Sequence, residues 1–136
     1  MVTIRLLRQV FWRAVLSGAA LCSHAAMAEP STAPGAEAPL VVGNRTVHVF
    51  RASLGAITPS ERAAVAKQHI ETALDQPGEG WTSVESTAQG VVVALDGVPM
   101  FTVVAGDARD SLNEHAEALA NDASRTLQRV WMEHQE

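Results

Sequence analysis

The sequence predicts a small α+β domain, an antiparallel-rich sheet in the order ββ-α-βββ-α with two helices packed on it, behind a removable leader. Three observations carry this. β-rich runs are joined by the turn dipeptides Gly43-Asn44 and Asp96-Gly97. Two stretches show apolar residues at helical spacing, each opened by a capping pattern. The first 28 residues differ in kind from everything after them.

The leader has Arg5, Arg8 and Arg13, then an apolar stretch from Ala14 to Cys22, then Ala26-Met27-Ala28. A positive start, a short apolar centre and small residues at −3 and −1 describe a secretory signal peptide, cut after Ala28. The apolar stretch falls short of the ~20 residues that a membrane span needs. Cys22 as a lipidation site is disfavoured, because Leu21 stands where a small residue is wanted. Cleavage leaves 108 residues, enough for a single domain, with 7 Lys+Arg against 15 Asp+Glu, a formal charge of −8. Such a domain repels phosphate backbones, so no nucleic-acid partner is expected. Cys22 is the only cysteine, so the mature domain has no disulfide and is held by packing. The longest apolar run, Val91 to Val104, is interrupted by Asp96, Gly97 and Pro99; the mature chain is expected not to span a membrane.

Residues 29–39 (EPSTAPGAEAP) read as a disordered Pro/Ala-rich linker, and 40–136 as the single α+β domain. Leu40-Val41-Val42 and Thr46 to Arg51 form a hairpin about Gly43-Asn44, with Val47 and Val49 facing one way and His48 and Phe50 the other. Thr58-Pro59-Ser60-Glu61 opens the first helix: Thr58 caps, Pro59 suits the first turn, and Glu61 completes a capping box. Ala63, Ala66, Ile70, Ala73 and Leu74 are its apolar stripe, and Asp75-Gln76-Pro77-Gly78 ends it. Three strands follow: Trp81–Thr87, Gly90–Leu95 and Val98–Val104, the last two joined by Asp96-Gly97 in a type I′ turn. The run Val91 to Leu95 suits a central strand with both faces covered, and Pro99 suits an edge or a strand start. Ser111 with Glu114 makes a second capping box, and Ala116, Leu119, Ala123, Leu127, Val130 and Trp131 are the stripe of a final helix running from Leu112 to Glu133.

No catalytic pattern stands out. Glu114-His115 lacks the second histidine of HExxH, no GxSxG elbow is present, and His48, His69, His115 and His134 show no metal-ligand spacing. They are expected at surface or boundary positions, and no catalytic, cofactor-binding or metal residue is assigned. Phe50, Phe101, Trp81 and Trp131 are expected as core anchors. Arg62 stands out, because a cation in the first turn of a helix opposes the dipole. Such a cation is often held by a specific acid, and Asp107, just after the last strand, is the candidate; the two either pair, tying both helix entrances to the sheet, or remain separate surface charges.

Two stretches carry a family resemblance. One is His48-Val49-Phe50-Arg51 with Thr58-Pro59-Ser60-Glu61-Arg62-Ala63; the other is Val91 through Val104 with Asp107-Ala108 and Ala118-Leu119-Ala120. They resemble the exported amino-terminal domain that precedes the membrane helices in a subset of bacterial small-conductance-type mechanosensitive ion channels. In that family a strand ending in Phe leads to S-x-E-R-A, and a later Phe-Thr-Val strand leads to Asp-Ala and a long helix. The Gly-rich spacer usual after Asp-Ala is short here, and this sequence stops at Glu136 without pore helices. The resemblance implies a periplasmic, non-catalytic domain without a cofactor, either the front piece of a split or truncated channel or a free-standing module. It would act by self-association or by docking on a membrane channel partner, with an exposed apolar patch near Trp131. Its motif residues here are Phe50, Glu61, Arg62, Phe101 and Asp107. Two other classes stay open: a periplasmic small-ligand-binding module, which needs a concave pocket with a few polar groups, and a hydrolase, which needs a histidine and a carboxylate converging in a cleft.

Overall fold

A computed structural model describes residues 36–136. The expected signal peptide (1–28) and most of the expected linker (29–39) lie outside them. The elements are β1 (Ala38–Val42), β2 (Arg45–Phe50), α1 (Pro59–Leu74), β3 (Thr82–Thr87), β4 (Gly90–Leu95), β5 (Val98–Val103) and α2 (Ala116–Gln135), with 3₁₀ turns at Ala105–Asp107 and Asp110–Leu112. This is the α+β order ββ-α-βββ-α.

The strands form two antiparallel sheets, β1-β2 and β3-β4-β5, where one five-stranded layer was expected. The physical reason lies where β2 and β5 end. The amides of Arg51 and Ala52, which would extend β2, donate instead to the Asp107 carboxylate. The carbonyls of Met100 and Thr102, which would receive a strand beside β5, face His69 and Arg62 of α1.

β2 and β5 are bulged. The β1–β2 register shifts between Leu40 and Val41, and the β4–β5 register between Val93 and Ala94. A bulge sets two residues against one and breaks strict alternation. Val47 and His48 are therefore both buried, as are Met100 and Phe101. This corrects the expectation that Val47 and His48 face opposite ways. Pro99 sits beside the second bulge on an edge strand, where its missing N–H costs no ladder bond.

Asp96 (φ +50) and Gly97 (φ +79) both take positive φ, as a type I′ turn requires. α1 begins as its sequence dictates: Glu61 N donates to Thr58 Oγ1 and Thr58 N to Glu61 Oε2. α2 begins at Ala116, four residues later than expected, and the Ser111/Glu114 capping box does not form. Ser111 lies in the 3₁₀ turn, Asn113 is left-handed, and Glu114 accepts from the amide of Arg109.

One core joins all layers, built on Leu40 and Phe50 of the hairpin, Ala66 and Ile70 of α1, Val93 and Val103 of the sheet, and Ala123 and Leu127 of α2. Trp131 packs on Gly80, which has φ +75 and whose Cβ, were there one, would lie 2.0 Å from the indole. Trp81 is exposed, so it is not the core anchor expected of it. The linker ends earlier than expected: Ala38 and Pro39 pair in β1, and Glu37 binds both Arg51 and Arg109.

Candidate functional site

Arg62 is the fourth residue of α1, the first whose amide closes a helical bond, to Thr58 O. Its side chain enters the protein instead of leaving it. Nη1 and Nη2 each donate to one Asp107 oxygen at 2.9 Å, a bidentate geometry that suits the planar guanidinium. Nη1 also donates to Ala52 O and Nη2 to Thr102 O. The guanidinium carbon stands 4.4 Å from the centre of the Phe50 ring, a cation–π contact. The structure thus brings Arg62 and Asp107 together, fully inside the domain.

Asp107 is 0% exposed. Besides Arg62, its oxygens accept from the amides of Arg51 (2.9 Å), Ala52 (3.0 Å) and Val104 (3.1 Å), and its own carbonyl accepts from Arg51 Nη1. Burial pushes the carboxyl pKa up; His48, Arg62 and the amides of Ala52 and Arg51 outweigh it and hold it well below the usual carboxylate range. One carboxylate therefore gathers the end of β2, the end of β5 and the start of α1.

The aromatic residues of the motif close over this pair. Phe50 and Phe101 meet edge to face at 5.8 Å, and His48 stacks on Phe101 at 5.7 Å and edge-on to Phe50 at 4.8 Å. His48 is buried, which corrects its placement among surface histidines. Its Nε2 lies 3.5 Å from Asp107 Oδ2, beyond a good hydrogen bond, and has no other partner. Glu61 stays outside the cluster as the exposed half of the capping box. Among the described residues, no group of three or more His, Cys, Asp or Glu side chains could hold a metal ion.

The family model for Domain of unknown function (DUF8459) matches residues 39–134. The chain belongs to that family. No curated protein and no solved structure matches it. The match covers the β1-to-α2 unit but for its first and last residues, Ala38 and Gln135, and includes the Arg62–Asp107 cluster of this DUF8459 domain.

Beside the cluster runs an apolar cleft. It has a volume of about 320 Å³ and lies between α1 and β5, lined among others by Leu54, Ile57, Val65, His69, Pro99 and Met100. Leu54 and Ile57 exchange backbone hydrogen bonds and shape one wall. A second depression of about 630 Å³ shares His69, Pro99 and Met100 and continues the groove toward Gln76 and Asp96. Ile57, Val65 and Val98 leave about half of their surface in water. His69 Nδ1 faces Met100 O at 3.3 Å.

Sequence reasoning missed His48, His69 and the groove. Two signals were available: His69 follows Arg62 by two helical turns, and Val65 lies off the apolar stripe of α1.

Proposed function

We propose that this DUF8459 chain is an exported, periplasmic, non-catalytic domain, akin to the ectodomain ahead of the membrane helices in small-conductance-type mechanosensitive channels. It works by docking on a membrane partner or on a second copy. The observation that carries this reading is the α1–β5 groove with its continuation, along which Ile57, Val65 and Val98 are exposed. No helix among the described residues is long and apolar enough to cross a membrane.

The non-catalytic reading is supported by how the polar groups are spent. His48 and Asp107 are the histidine and carboxylate that a hydrolase would bring together, but both are buried. Asp107 is saturated by Arg62 and three amides, with no lone pair left for a proton in transit. His69, in the groove, faces a backbone carbonyl.

A photo-crosslinking residue placed at Val65 in cells producing the full chain tests the reading, with exposed Lys67 as the off-groove control. An adduct with an integral membrane protein or with a second copy, formed from 65 and not from 67, is expected. No adduct from 65 above that from 67 overturns it. A groove of about 320 Å³ also lies at the lower end of small-ligand sites, which favours a periplasmic binding module as second reading. Thermal-shift screening against small apolar compounds separates the two.

A further inference from the structure

Four strands have an outer edge: β1 and β2 in the hairpin, β3 and β5 in the three-stranded sheet. Unpaired edges template further pairing unless they are blunted. Three of these carry a device. β1 contains Pro39, β2 is bulged at Val47-His48, and β5 has a bulge, Pro99, and two outward carbonyls taken by Arg62 and His69. β3 carries none. Its pairing with β4 is unbroken from Thr82↔Leu95 to Thr87↔Gly90, and it contains no Pro, Lys or Arg.

The backbone groups that β3 offers can be read from its ladder. Asp96 N donates to Trp81 O, and antiparallel strands exchange hydrogen bonds at every second pair. Trp81, Ser83, Glu85 and Thr87 therefore face β4, and Thr82, Val84 and Ser86 present their N–H and C=O outward. Among the described residues, none of these outward backbone groups has a hydrogen-bond partner.

We propose that the occupant of this edge is β3 of a second copy, antiparallel about a two-fold axis through Val84. The strand is self-complementary in that one register. Val84 meets its twin, Thr82 meets Ser86 of the second copy, and Ser83 meets Glu85 of the second copy. All three outward residues then form two-hydrogen-bond pairs. Centring on Glu85 uses only two such residues and sets two carboxylates face to face, which is destabilising; centring on Ser83 also uses only two. Thr–Ser and Val–Val neighbours are favourable cross-strand pairs. The product is a continuous six-stranded sheet with an isologous interface. It is independent of the α1–β5 groove, since α1 lies at the β5 side of the sheet.

Two variants of the full chain test this. Ser86→Pro removes an outward N–H and no bond to β4, so the fold is expected to remain while the dimer weakens at least about tenfold in sedimentation velocity. With Cys22→Ala in place, Val84→Cys is the sole cysteine. Paired Cα atoms at about 5.5 Å fall within disulfide range, so mild oxidation is expected to link two copies through Val84→Cys and far less through Glu85→Cys. Should Ser86→Pro fail to fold, the cysteine pair still decides. A chain that is monomeric at roughly 200 μM, where a small interface of micromolar affinity would be populated, overturns the proposal. So does a dimer indifferent to Ser86→Pro, or equal crosslinking from both cysteine positions. The groove reading is scored separately by the adduct at Val65.

Discussion

Asp107→Asn is the most informative single substitution in this domain, because it keeps the shape of the hub and removes its charge. The asparagine oxygen can still accept what Oδ1 accepts, the amides of Arg51 and Ala52. Its NH₂ then occupies the place of Oδ2, where Arg62 Nη2 and the Val104 amide both donate, so three donors converge. Removing one partner of a buried ion pair costs about 3–5 kcal/mol, and the orphaned Val104 amide adds about 1–3 kcal/mol before relaxation. With overlap between the two terms, we expect a loss of about 4–6 kcal/mol, much of the ~5–15 kcal/mol of a domain this size. Urea unfolding followed by far-UV circular dichroism measures it. Arg62→Met and the double variant complete the cycle. Arg62→Met also forfeits the contact with Phe50 and the bonds to Ala52 O and Thr102 O, so it is costly alone. The double variant should cost at least about 2 kcal/mol less than the sum of the singles, the signature of direct coupling. An Asp107→Asn loss under about 1 kcal/mol, or singles that add to within ~0.5 kcal/mol, would refute a hub that holds three segments.

Three further outcomes are expected. The Asp107 carboxyl is depressed in the folded state, so the unfolded chain binds more protons in acid; its stabilisation is complete above the unfolded value near pH 4 and is lost as pH falls below it, giving a falling Tm between roughly pH 4 and 2 that Asp107→Asn flattens. Gly80→Ala combines a left-handed backbone with a methyl placed into the Trp131 ring, and should cost about 2–4 kcal/mol with a red-shifted indole emission; an unchanged Tm would mean that Trp131 does not pack there. Secreted protein from a periplasmic preparation should begin at Glu29 by intact mass, and a chain retaining Met1 would remove the export reading.

Much of the architecture was written locally in the chain. Thr58, Pro59 and Glu61 specified a helix start, and Asp96-Gly97 specified a turn, because each acts through its immediate neighbours. What escaped were features decided across the fold. The bulges at Val47-His48 and Met100-Phe101 show no local mark, and each overrides the alternation by which strand faces are read. Ser111 and Glu114 have the right spacing for a cap, but Asn113 in the left-handed region closes a 3₁₀ turn first, and Glu114 turns to Arg109. The division into two sheets depends on where the Arg51 and Ala52 amides go, which the sequence does not state. Within the candidate site, Arg62 was legible as a cation in an unfavourable place, Asp107 as an acid that could hold it, and Phe50 and Phe101 as core anchors. His48 was placed on the face of Phe50 by alternation and is indeed there, but its burial comes from stacking on Phe101, a contact between distant strands.

The three amides held by the Asp107 carboxylate belong to connecting segments, the kind of backbone that normally trades its hydrogens with solvent within seconds to minutes. Here they lie beyond the ends of β2 and β5 and are anchored on a group sealed from water. Deuterium uptake at Arg51, Ala52 and Val104 should therefore track that of Val93 and Leu127, opening only when the entire domain opens. The slowest-labelling loops of this protein would then outline its hub on a peptide map.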